Sequence, residues 1–190
     1  MLFRSNFNHP VQTIREDFGT TRFDLNASDT DTFTTAYTID DGHNVSPLQN
    51  PFFGTIADLR SQVLSAQETH VFSPQFLNTF RTGFSRAAFN FDSIAIDPTI
   101  PPDISLFAGK PAGCFAIGGA SCAAVTSIAL GGGSLSGRIL NYRNLYTGSD
   151  DVQIVRGKHQ LSFGGWLQRI QVNANSAARN YGEEIGRAHV

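Results

Sequence analysis

Asp150, Asp151 and His159 lie close in sequence, and with a nearby serine they could be drawn as the carboxylate, base and nucleophile of an acyl-transfer triad. A serine nucleophile needs an elbow or a helix N-terminus to present its oxygen, and no such signal surrounds these residues, so an enzyme is not expected. His70 and His159 are the next candidates, as metal ligands. Each stands beside a turn and is read as having no second histidine or carboxylate at ligand spacing on its own element, so both are expected to be rim histidines bonded to backbone or water. The stretch "GGASCAAVTSIALGGGSLSG" shares only its composition with a phosphate-binding loop, because the Gly-Lys-Ser/Thr ending and a following helix are missing. It also holds Cys122, and Cys114 lies eight residues before that cysteine. In an oxidising compartment the pair could close a local disulfide, and two inert thiols are equally compatible with the spacing. No catalytic set, metal site or cofactor is therefore expected.

The elements that carry these residues must be inferred from composition and period. Charged residues are 16% of the 190, well below the roughly 25% of ordinary soluble domains, whereas phenylalanine contributes 16 residues alongside many Thr, Ser, Asn and Gly. That mixture favours β structure. A net charge of -2 with scattered arginines offers no field for nucleic acid, which is excluded as a partner. No apolar run reaches the roughly 18 to 20 residues of a spanning helix, a limit that does not apply to spanning strands because only every second residue need be apolar.

"FGTTRFDLNA" alternates, with Phe23 and Leu25 on one side and Arg22, Asp24 and Asn26 on the other. After the turn Ser28 to Asp31, "TFTTAYTID" sets Phe33 and Tyr37 against Thr34, so the two runs predict a hairpin. "DGHNVSPLQNPFFGT" has turn formers and no period, and a long loop is expected over about residues 41–60. Residues 61–68 fit either a strand or a short helix. Around the turn Ser73 to Gln75 a second hairpin follows, with Phe80 and Phe84 opposite Arg81. A second long loop is expected over about residues 90–148, and a third hairpin, carrying Leu161 and Phe163, turns at Gly157 and Lys158.

Short turns thus alternate with long connections, and strands of about 9 to 11 residues would cross a bilayer at a tilt. The expected fold is all-β: an up-and-down antiparallel transmembrane barrel fragment of about six strands in three hairpins, with two long extracellular loops. Phe23, Leu25, Phe33, Tyr37, Phe80, Phe84, Leu161 and Phe163 are expected to face lipid. Arg22, Asp24, Asn26, Thr34 and Arg81 would face a watery lumen. Phe18, Tyr37 and Phe89, at strand ends, are candidates for an aromatic girdle.

"ETHVFSPQFLNTFRTGFSR" and "IVRGKHQLSFGGWLQRIQ" resemble barrel segments of TonB-dependent outer-membrane receptors of the Oar-like type, which often carry a carboxypeptidase-regulatory-like domain. "REDFGTTRFDLNASDTDTFTTAYTIDDG" is similar to the preceding hairpin of that family. The resemblance covers about residues 12–89 and 144–180. It implies a barrel of about 22 strands with a plugged lumen, outer-membrane localisation after export by a signal peptide, and uptake of a nutrient powered through the TonB complex. Oligosaccharide, peptide and chelated metal are all compatible cargo. The plug domain, the TonB-contacting segment and the carboxypeptidase-like domain are not found in these residues. The competing expectation is a soluble or surface-anchored adhesion domain, whose strands would pack as a sandwich with one buried apolar face.

The two ends carry a separate expectation. Residues 1–5 ("MLFRS") and 184–190 ("EIGRAHV") back-translate to a common short-read sequencing adapter in its two orientations, which leaves residues 6–183 as barrel. Any other codon choice in the underlying nucleotides defeats that expectation.

Overall fold

The computed structural model describes residues 10–48, 52–97, 114–117, 128–130, 138–176 and 183–186. Nine strands are described: β1 (Thr13–Asn26), β2 (Asp31–Pro47), β3 (Phe53–Ser73), β4 (Phe76–Ala95), β5 (Cys114–Ile117), β6 (Ile128–Leu130), β7 (Ile139–Arg156), β8 (His159–Ser176) and β9 (Glu183–Gly186). Six of them form one sheet in the order β1-β2-β3-β4-β7-β8, every neighbouring pair antiparallel. This is the up-and-down, all-β arrangement that the alternating runs predict. A second sheet orders β6-β5-β9, with β9 parallel to β5. The sequence near residue 183 has no strand period of its own, and β9 is defined there only by its pairing.

Alternation extends further than the turn formers suggest. The six long strands run to 14, 17, 21, 20, 18 and 18 residues, not 9 to 11. Residues 61–68 are strand throughout, inside β3. The first expected long loop is corrected to the short connection at residues 48–52, because 41–47 and 54–60 pair across β2 and β3 from Asp41↔Arg60 to Pro47↔Gly54. Asp, Gly, His and Asn there look like loop residues in isolation. They are ladder residues because side chains on the two strands satisfy each other, as with His43 Nδ1 on Asp58 Oδ1 at 2.6 Å. The second long connection also shrinks at both ends, since β4 reaches Ala95 and β7 begins at Ile139. Cys114 opens β5, and Cys122 lies outside the described residues, as does the Cys114–Cys122 bridge.

Two of the tight turns have clear local causes. Between β1 and β2, Ala27 N donates to Asp31 O at 2.9 Å and the Ser28 hydroxyl accepts from Thr30 N at 3.1 Å, closing the polar loop. Between β7 and β8, Gly157 has φ 62°, a left-handed conformation that a residue without Cβ adopts at little cost.

The long sheet is a single layer. Among the described residues Phe53 is the one buried large hydrophobic, while Phe23, Phe33, Phe80, Phe163, Trp166 and Leu167 are all exposed. A sandwich would bury one of its faces against a second sheet. Among the described residues nothing of that kind covers the long sheet, so its apolar face calls for an apolar solvent or further protein.

Candidate functional site

Because partners in register share a side, the pairings sort every long-strand residue onto one of two faces. Leu25↔Phe33, Phe23↔Thr35, Tyr37↔Leu64, Leu64↔Phe84, Phe84↔Tyr146, Val152↔Phe163 and Ile154↔Leu161 define the first face. Phe80, opposite Glu68, belongs to it too. Arg22, Asp24, Asn26, Thr34 and Arg81 all fall on the second, through Asp24↔Thr34, Thr34↔Gln67 and Gln67↔Arg81. Phe18 (opposite Asp40) and Phe89 (opposite Leu59) also lie on the second face, so they cannot share a girdle with Tyr37.

Charged residues bracket the first face at a constant separation. Asp31 and Asp41 on β2, His70 and Arg60 on β3, and His159 and Arg169 on β8 each stand ten residues apart. The brackets are not level. Asp41 is opposite Arg60, but the same register row reaches β8 at Asn173, four residues beyond Arg169. The lower bracket shifts equally, from the Asp31↔His70 row, which reaches β8 at Phe163, down to His159. Four residues (about 13 Å) over four strand spacings (about 19 Å) is a slope of about 35°. That is the tilt of strands in a closed barrel, and ten tilted residues is the length of a bilayer crossing. Glu68 and Asp150 are the carboxylates inside this band, and Asn78 Nδ2 donates to Asp150 at 2.6 Å.

On the second face the same levels are polar and linked across strands. Arg22 Nε donates to Asp24 at 2.8 Å, and Thr34 Oγ1 donates to the same carboxylate at 2.8 Å. Arg81 donates to Gln67 Oε1 at 3.0 Å and to Asp151 Oδ2 at 2.5 Å. Asp150 and Asp151 therefore point to opposite faces, and His159 sits at the turn opposite Arg156, so the three do not converge. Beyond the upper bracket the faces exchange character. The first face carries Arg60–Asp41 and His43–Asp58, with Asn90 Nδ2 donating to Asp58 at 2.9 Å, while the second carries Leu59, Ile170 and Val172 in exposed positions. His43 and then Asn90, by hydrogen bonding, hold the Asp58 carboxyl below its ordinary range.

At the turn end, on the lower border of the band, Asp31, Glu68 and His70 bring ligand-type atoms within 4.8 Å of one another. The spacing that sequence reasoning overlooked is Glu68-x-His70, two residues apart on a strand and so on one face. Most of the donor set is already engaged. Ser28 and Thr30 hydroxyls donate to Asp31 Oδ2, the latter at 2.8 Å, and His70 Nδ1 bonds Oδ1 at 2.5 Å. The group is thus a clamp that fastens the β1–β2 turn to β3, helped by Val71 N donating to Thr30 O at 2.8 Å. These bonds, Ser28 first and then His70 and Thr30, lower the Asp31 carboxyl from 3.8 to about 2. Its contribution to the turn is therefore complete above the ordinary value and is lost as pH falls from about 4 through about 2. Carbon NMR of aspartate-labelled protein should place the Asp31 midpoint near 2; a midpoint near 4 would show that the clamp is not formed.

The geometry calls for a membrane barrel, and comparison with known families agrees. The profile described as an outer membrane beta barrel domain matches residues 3–184. The chain belongs to that family. Searches of curated proteins and of solved structures gave no match. The six long strands are barrel wall of an outer-membrane protein, and the outer membrane is where this barrel domain resides.

Proposed function

We propose that this barrel domain is part of a TonB-dependent receptor that takes up a scarce nutrient across the outer membrane. The observation that carries the proposal is strand length. A crossing uses about ten residues, yet β3 and β4 continue to 21 and 20, so the wall stands well clear of the bilayer on the side away from the short turns. A tall wall with a polar, cross-linked inner surface suits a wide lumen that admits bulky cargo, and outer-membrane barrels of about 22 strands are plugged transporters. On this reading Phe23, Leu25, Phe33, Tyr37, Phe80, Phe84, Leu161 and Phe163 meet lipid. Arg22, Asp24, Asn26, Thr34 and Arg81 line the lumen or touch a plug, and the short turns face the periplasm, where TonB acts.

The single-layer sheet argues against the soluble adhesion domain, which has no second layer to cover its apolar face. The test is growth of a deletion strain on panels of oligosaccharides, peptides and chelated metals. Loss of growth on one class, restored by the gene only when TonB is present, is the expected result. Restoration without TonB, or retained surface binding with no uptake defect, would overturn it.

A further inference from the structure

The upper bracket of the first face is built from arginine on three of its strands: Arg60 on β3, Arg86 on β4 and Arg169 on β8. Arg86 takes this position because it stands two residues turnward of Ala88, which is opposite Arg60. On β7 the same level is held by Asn144, opposite both Arg86 and Gln171. Arg60 is neutralised by Asp41, to which its Nε donates at 2.9 Å. Arg86 and Arg169 have no carboxylate partner among the described residues. Their register partners on this face are Gln62 and Asn144 for Arg86 and Tyr146 for Arg169, none of them acidic. Arg86 is held over the Tyr142 ring at 5.4 Å, which fixes its guanidinium at the edge of the apolar band.

One further group at this level is unsatisfied. Asn144 Oδ1 is buried and has no hydrogen-bond partner. That atom is covered, so the side-chain donors that reach the surface at this level are those of the exposed Arg86, Gln171 and Arg169. Arg86, Gln171 and Arg169 form a donor-rich patch about 10 Å wide from β4 across β7 to β8, directly above exposed Tyr146 and Leu167.

We propose that Arg86 and Arg169, helped by Gln171, bind the phosphate group of an outer-leaflet lipid whose acyl chains lie on the apolar band below. The occupant follows from continuity: the patch is the upper edge of the surface that the barrel already presents to the membrane, on the side away from the periplasmic turns. Guanidinium groups match phosphate oxygens in pairs, and at a bilayer border such bonds form out of bulk water. The proposal rests on the outer-membrane placement and not on uptake, so a failed transport assay leaves it standing and a failed lipid assay leaves transport standing.

The test uses the full-length barrel protein in phosphatidylcholine nanodiscs with bisphosphorylated lipid A or its dephosphorylated form, read by native mass spectrometry. Phosphorylated lipid should stay bound, and Arg86→Gln with Arg169→Gln should weaken retention by about tenfold or more. Arg86→Lys with Arg169→Lys should keep most of it and shows that the fold tolerates change there. Arg156→Gln, at the turn end, should have no effect. Equal retention by the double glutamine variant, equal retention of dephosphorylated lipid, or displacement by millimolar inorganic phosphate would each overturn the assignment.

Discussion

Leu64→Arg is expected to destabilise the barrel by about 2–4 kcal/mol, whereas Ser65→Arg, its immediate neighbour, is expected to cost well under half as much. Leu64 lies on the first face, midway between Arg60 and His70, opposite Tyr37 and Phe84. With the first face toward lipid, as proposed, a guanidinium placed there would sit near the bilayer midplane, too far from either border for its side chain to reach water without distorting the membrane. Ser65 points to the second face, opposite Ala36 and Gly83, and borders the depression lined by Thr34, Gln67, Arg81 and Thr147. On the proposed reading, an arginine there joins a lumen wall that already holds the Arg81–Asp151 pair. Reversible urea unfolding of the full-length protein in lipid vesicles measures both. Equal costs, or a larger cost for Ser65→Arg, would mean that the lipid and lumen sides are exchanged.

How much of this was legible depended on what each residue's neighbours were. The lower half of each strand could be read from one chain because side and character coincide there: Phe23 and Leu25 alternate with Arg22 and Asp24. Above the bracket the pattern inverts, and Asp41, His43 and Asp58 occupy the same face as Phe33 and Leu64. A polar residue on the face that was apolar six residues earlier looks like the end of a strand. The ladder nevertheless continues, because each such residue finds its partner on the next strand, as Asp41 does with Arg60 and His43 with Asp58. That information lies in the register and is absent from either strand alone. The same holds for the turn clamp: Glu68-x-His70 is visible in one strand, but Asp31 joins it only through the Asp31↔His70 pairing of β2 with β3.

The second large effect concerns closure. Among the described residues, β1 and β8 are each paired on one side only in the long sheet, which leaves their outer edges open there. In an antiparallel ladder about half the residues of an edge strand turn N–H and C=O outward, so a ten-residue crossing exposes about ten such groups at each edge. Each costs several kcal/mol in hydrocarbon, and the total of tens of kcal/mol exceeds the roughly 5–15 kcal/mol by which a folded protein is stable. Six strands are also fewer than the eight of the smallest known single-chain barrels. Residues 1–190 expressed alone are therefore expected not to insert into vesicles and to aggregate through β1 and β8, whereas the same strands within a longer barrel would have both edges paired. Heat-modifiable migration and protease protection after mixing with lipid vesicles provide the readout. A monomeric, protease-protected product from these residues alone would show that the edges are satisfied within the chain, and would remove the need for further strands.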